Sequence, residues 1–197
     1  MKIGIIDYKF CSILPIYSSI KSFDVETTII QNPKDIKKMD KIVFPGVGAT
    51  NKIMNFLIEN NYIDEIKKFA QNKKDILGIC AGMQIMAKKL FENEERSGLG
   101  FFNSVVIEID NSVSEKKTNI GWIDTKMNND QISYYYCHSF FMNFENEKDD
   151  CIKGFIELKK KIPSVIKKNN LIGVQFHPEK SQTNGRKLIS DFINDKL

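Results

Sequence analysis

Four cysteines and two histidines supply every thiol and imidazole of this chain, and one of each sits where its neighbours would make it reactive. The segment Asp75-Ile76-Leu77-Gly78-Ile79-Cys80-Ala81-Gly82-Met83-Gln84-Ile85-Met86 reads as a short apolar strand, a turn carrying Cys80, and a helix whose apolar residues Met83, Met86, Ala87 and Leu90 recur every three to four positions. That is the pattern of a nucleophile elbow. The sharp turn excludes neighbouring side chains, which suits Gly78 and Gly82, and it lifts the apical side chain clear of the sheet. The free N–H groups and positive dipole end of the following helix would point at the sulfur and favour thiolate over thiol. The competing reading of this stretch is a cysteine buried as a small apolar residue.

Downstream, Gly173-Val174-Gln175-Phe176-His177-Pro178-Glu179-Lys180-Ser181 is an apolar run that ends in a His and a Glu separated by one proline. If the run stays extended there, both side chains face the same way and Pro178 stiffens the link. A cysteine, a histidine and a glutamate then supply the nucleophile, the base that takes its proton, and the carboxylate that fixes the imidazole tautomer. A third segment, Pro45-Gly46-Val47-Gly48, follows another apolar strand. It reads either as a turn that needs glycines or as a source of backbone donors for the oxyanion that attack by Cys80 would create.

These three segments, in this order and spacing, resemble the class I (triad) glutamine amidotransferases, and within them most closely the HisH type, the glutaminase subunit of imidazole glycerol phosphate synthase. The resemblance spans essentially the whole chain. It implies that Cys80 attacks the side-chain amide of L-glutamine, that His177 takes the thiol proton and passes it to departing ammonia, that Glu179 orients His177, and that water then releases glutamate. It also implies an oxyanion hole of Gly46, Val47, Gly48 and Ala81, with the amides of Val47 and Ala81 as the donor pair and a loop that reorients before it donates. Substrate contacts are implied from Gln84, Glu92 and the segment His138-Ser139-Phe140. Glu92 would hold the glutamine ammonium, against the competing reading of a solvated helix end, and His138 reads as a half-buried strand histidine outside the catalytic set. No cofactor is implied. The implied partner is a HisF-like (βα)8 barrel, joined as a heterodimer, which uses the ammonia in histidine biosynthesis.

Two segments depart from the family pattern. Where the family usually has Tyr-Asn-x-Gly-Asn, this chain has Tyr8-Lys9-Phe10-Cys11-Ser12; where it usually has Pro-His-Met-Gly-Trp-Asn, this chain has Lys117-Thr118-Asn119-Ile120-Gly121-Trp122-Ile123. Both belong to the family's subunit interface, so Lys9, Ser12, Asn119, Gly121 and Trp122 are the expected partner contacts. Trp122 is either an anchor of that interface or a core residue on a strand where Ile120 and Trp122 alternate. The departures leave the acceptor open, with a paralogue that supplies ammonia for amidation of a surface sugar as the alternative. A catalytically silent regulatory subunit is the alternative of another class, against which the intact Cys80, His177 and Glu179 argue. A cysteine peptidase on the same elbow would have no need of Gln175 to Glu179.

The elements that must position these residues follow from pattern. Lys2 to Asp7, Val25 to Ile30, Lys41 to Phe44 and Asp75 to Ile79 read as strands, alternating with a helix that starts near Pro15 and with a helical pattern marked by Ile53, Leu57, Ile58, Ile63, Ile66 and Phe69. Such alternation implies a parallel sheet with right-handed crossovers, whose ligands sit beyond the carboxyl ends of the strands. From Leu99 onward, Phe102 to Ile109, Gly121 to Lys126, Ser133 to Cys137, Phe140 to Phe144, Ile152 to Leu158 and Ser164 to Lys168 are short β-branched or aromatic segments separated by turn residues. Leu171 to Phe176 returns to the sheet to deliver His177, and a final helix carries Leu188, Ile189, Phe192 and Ile193 on one stripe. The expected fold class is therefore α/β, flavodoxin-like: a mostly parallel central sheet flanked by helices, with an appended antiparallel region. Residues 1–197 form one expected domain.

Composition removes other classes. The net charge of +4 comes from scattered lysines without interleaved aromatics, which excludes a nucleic-acid stripe. The apolar N-terminal run meets Asp7 after a few residues, too short for a signal peptide or a membrane span, so a cytoplasmic chain with its cysteines as thiols is expected. With no C-x-x-C pair and two histidines, no metal site is expected.

Overall fold

Short runs of Ile, Val and Phe, each closed by a polar residue or a glycine turn, build the sheet that carries the reactive residues. The structure is a computed structural model that describes residues 1–127, 129–145 and 150–197. Strands β1 (Lys2–Ile6), β2 (Glu26–Ile30), β3 (Lys41–Phe44) and β4 (Ile76–Ile79) alternate with helices α1 (Leu14–Lys21), α2 (Thr50–Glu59) and α3 (Tyr62–Gln71), and a single helical turn, α4 (Ala81–Gln84), follows β4. Every residue of β3 and β4 is buried, as the strands of a sheet covered on both faces must be. The chain continues through β5 (Ala87–Glu92), β6 (Glu94–Ser97), β7 (Phe102–Glu108), β8 (Asn119–Met127), β9 (Asp130–His138), β10 (Phe140–Phe144), β11 (Ile152–Glu157), β12 (Lys161–Lys168), β13 (Leu171–Val174) and α5 (Gln182–Ile193).

The large sheet runs β2-β1-β3-β4-β13-β12-β11-β8-β9. Its first part, from β2 to β13, is parallel, and from β12 to β9 the pairing is antiparallel. A second sheet, β10-β7-β5-β6, packs beside it. The α/β class with a parallel centre and an antiparallel region stands as expected. One face of the parallel part is covered by α1 and α5 through Ile16, Ile20, Leu188, Ile189 and Phe192. The other is covered by α2 and α3 through Ile53, Leu57, Ile66 and Phe69.

Three local expectations are corrected. The helix after the elbow stops at Gln84, and Ala87 and Leu90 belong to strand β5. A register shift between Ala87 and Lys89 where β5 meets β7 breaks the two-residue alternation. Both apolar side chains therefore face inward at a spacing that imitates a helix. Ile58 does not share the buried stripe of α2, being 53% exposed, and Asn61 in a left-handed conformation (φ 60°) separates α2 from α3. Glu92 lies on β5 and not at a helix end.

Candidate active site

The carboxyl ends of three neighbouring parallel strands, β3, β4 and β13, deliver Pro45 to Gly48, Cys80, and Gln175 to His177 to one place. The approach is close enough to dictate glycine. A Cβ on Gly46 would lie 1.9 Å from the carbonyl oxygen of Ile79, and one on Gly82 would lie 2.2 Å from that of Phe44. Between them Cys80 takes φ 48° and ψ −109°, a positive-φ state rare for a residue with a Cβ. Its N–H donates to the Val174 carbonyl at 2.7 Å, and its carbonyl accepts from the Gln84 N–H at 3.0 Å. The elbow is thus tied to β13 on one side and to α4 on the other. Because α4 is a single turn, it carries little macrodipole. Cys80 Sγ lies 3.8 Å from the Cys137 carbonyl oxygen and 3.6 Å from Nε2 of Gln175.

His177 is 3% exposed, and its Nδ1 lies 2.8 Å from Oε1 of Glu179. The pairing does not arise from an extended backbone, as the sequence suggested. His177 is extended, but Pro178–Lys180 is a 3-10 turn that folds the carboxylate back onto the ring. The His177 backbone is fixed as well: its N–H donates to the Tyr135 carbonyl at 2.9 Å, and its carbonyl accepts from the Ser181 hydroxyl at 2.6 Å. Ser181 Oγ in turn accepts from the Tyr135 N–H at 2.9 Å. The large sheet coils far enough that its last strand, β9, meets the residue delivered by β13. Burial pulls the His177 titration downward, but hydrogen bonds with Cys80 and Glu179 and their negative charge outweigh it and raise it to about 10.

The other histidine has the opposite character. His138 is 6% exposed rather than half-buried. Its Nδ1 lies 2.9 Å from the Phe140 carbonyl and its Nε2 lies 3.1 Å from the Asn119 amide nitrogen, so the neutral Nδ1–H tautomer satisfies both contacts. Burial, together with the charge of His177, outweighs the hydrogen bond to Phe140 and lowers its titration to about 4. Gln84, 4% exposed, donates through Nε2 to the same Phe140 carbonyl at 2.7 Å. One carboxylate oxygen of Glu92 accepts from the Thr50 N–H at 2.6 Å and from the Thr50 hydroxyl at 2.7 Å, which caps α2 from across the fold.

A cleft of about 340 Å³ gathers Gly46, Val47, Gly48, Cys80, Ala81, Gln84, Glu92, His138, Ser139, Phe140 and His177 on its walls. A cavity of about 190 Å³ beside Val113 and Phe141 contains neither cysteine nor histidine. On β8, Trp122 is 48% exposed and Ile120 61%, which removes the core reading of Trp122. Its ring meets Tyr135 edge-on at 6.0 Å. Lys9 and Ser12 are exposed, Lys9 folds onto Asp7 at 3.0 Å, and Gly121 uses a φ of +132°. Asn119 turns its side chain inward to His138. Sequence reasoning gave no role to Gln175, Ser181 or Thr50. For Gln175 the signal was present, a primary amide between Val174 and Phe176 in an apolar run.

Comparison with known proteins agrees with this geometry. Residues 5–195 match the family described as glutamine amidotransferase class-I. The chain is 35% identical to the imidazole glycerol phosphate synthase subunit HisH of Lactococcus lactis subsp. lactis (strain IL1403), with 98% of each chain covered. It is 34% identical to the subunit HisH 2 of Methanococcus maripaludis, covering 97% of this chain and 98% of that one. In fold it is similar to a chain of the PurLQS structure from Thermotoga maritima, with a TM-score of 0.78 at 16% identity over 100% of this chain and 99% of that chain. An elbow cysteine, a carboxylate-bound histidine beside it and a match over nearly the full length lead to one assignment: the chain belongs to the class-I glutamine amidotransferase family.

Proposed function

We propose that this chain is the glutaminase subunit of an imidazole glycerol phosphate synthase, a single-domain HisH-type subunit acting in the cytoplasm. The observation that carries the reading is His177, bound at Nδ1 to Glu179 at 2.8 Å and raised to about 10 in part by Cys80. That arrangement leaves Nε2 to exchange a proton with the sulfur. In the proposed reaction the Cys80 sulfur attacks the side-chain amide carbon of L-glutamine, and the amides of Val47 and Ala81 receive the oxyanion. The His177 imidazolium gives its proton to the departing nitrogen, ammonia leaves, and a γ-glutamyl thioester remains. Water, deprotonated by His177, then attacks the thioester and releases glutamate. Gln84 and the segment His138 to Phe140 hold the amino-acid end. Glu92, with one oxygen engaged by Thr50, uses the other for the substrate ammonium.

The ammonia is consumed elsewhere, so a synthase must dock nearby. Phe10, Val47, Ile120 and Trp122 are exposed large apolar side chains on elements that border the cleft, the kind of surface an interface core uses. A HisF-type barrel is the proposed partner. Relatives named as HisH subunits favour this acceptor over a surface sugar. The test is glutamate release from glutamine by the chain with and without such a barrel. Release that is absent in both, or unchanged by Cys80→Ser, overturns the reading.

A further inference from the structure

Gln175, two residues before His177, is fully buried. A buried primary amide is costly unless both of its ends are paired, and here the pairing allows one orientation. The Phe140 carbonyl can only accept, so the end of Gln84 that lies 2.7 Å from it is the NH2. The same NH2 lies 3.2 Å from Gln175, which must present its oxygen there. The NH2 of Gln175 is then turned to Cys80 Sγ at 3.6 Å. The flipped amide would set two NH2 groups against each other.

We propose that Gln175 is a further catalytic residue, whose N–H donates to the Cys80 sulfur and stabilises it in the negatively charged form that attacks. This rests on the reading of Cys80 as the nucleophile. The sulfur lies between groups of opposite preference. The Cys137 carbonyl at 3.8 Å can only accept and so favours the S–H, whereas the Gln175 NH2 can only donate and so favours the thiolate. When Sγ loses its proton, the proton goes to Nε2 of His177, and Gln175 exchanges none. Gln84 is the buttress: by fixing the Gln175 oxygen it prevents the flip that would aim a lone pair at the sulfur. Phe140, on the cleft wall, thereby orients the nucleophile through two amides in series.

The test is the rate of alkylation of each cysteine by iodoacetamide across a pH series in the full chain, read by peptide mass, beside the thermal melt. In the wild type Cys80 should label ahead of Cys11, Cys137 and Cys151; labelling of all four at one rate would sink the nucleophile reading itself. Given preferential labelling, Gln175→Leu should slow Cys80 at neutral pH by about tenfold, the loss of one charge-assisted hydrogen bond, and move its profile toward alkaline pH. Gln175→Glu, equal in shape but bearing a carboxylate, should slow it further. A profile that overlays the wild type, or a rate lowered equally at every pH, overturns the inference. Should the leucine variant not fold, the glutamate variant decides on the same criteria.

Discussion

The Glu179 carboxylate reaches Nδ1 of His177 at 2.8 Å from within a 3-10 turn that begins at Pro178. The turn, rather than strand alternation, makes the pair. In the proposed reaction its consequence is a division of labour: the histidine moves the proton and the glutamate holds the ring. His177→Asn should lower the rate of glutamate release by about four orders of magnitude or more, and Glu179→Gln by less. Steady-state glutaminase assays of both variants in the complex decide, and the reverse ranking would exchange the roles.

Cys80→Ser should abolish glutamine-dependent synthesis in the complex and leave synthesis from added ammonium intact, because the acceptor chemistry lies on the proposed partner. Parallel assays with the two nitrogen sources measure this. Loss of both activities would mean that the substitution disrupts docking.

His138 sets an acid limit on stability. An unfolded imidazole takes up its proton near pH 6.5, whereas the buried ring waits until about 4. Between those values the unfolded state binds more protons at this site, so the His138 contribution to stability is complete above about 6.5, falls as the pH drops toward 4, and levels off below. The loss is on the order of 3 kcal/mol. Denaturant unfolding of the wild type and of His138→Gln over that range should show the slope in the first and a flatter curve in the second.

Trp122, at 48% exposure, contributes little to the isolated fold. Trp122→Ala should weaken association with the barrel by about 2 kcal/mol while the melting temperature of the free chain stays within a few degrees. Calorimetric titration beside a thermal melt separates the two effects, and a large fall in melting temperature would return Trp122 to the core.

Much of the parallel half was legible because its signals are local. Apolar runs end in glycine turns at Phe44 and Ile79, and β3 spans the residues that pattern alone indicates. What escaped depends on partners distant in sequence. The bulge of β5 against β7 turns Ala87 and Leu90 to one side, and no pattern within residues 87–92 could report it. Glu92 reads as a lone acid until Thr50 is brought against it by the packing of α2. Gln175 draws its meaning from Gln84 and Cys80, both far upstream. Cys80, His177 and Glu179 were legible as residue types in order, whereas their geometry, with a turn at Pro178 and a backbone clamp from Tyr135 and Ser181, was not.

The backbone of Cys80, at φ 48° and ψ −109°, holds a conformation that costs a residue with a Cβ on the order of 1–3 kcal/mol. Glycine would adopt it freely. The most stabilising replacement at the elbow is therefore the one that deletes the proposed nucleophile. Thermal endurance and turnover pull in opposite directions at this residue, and a chain selected for endurance alone would drift to glycine here, harden and fall silent.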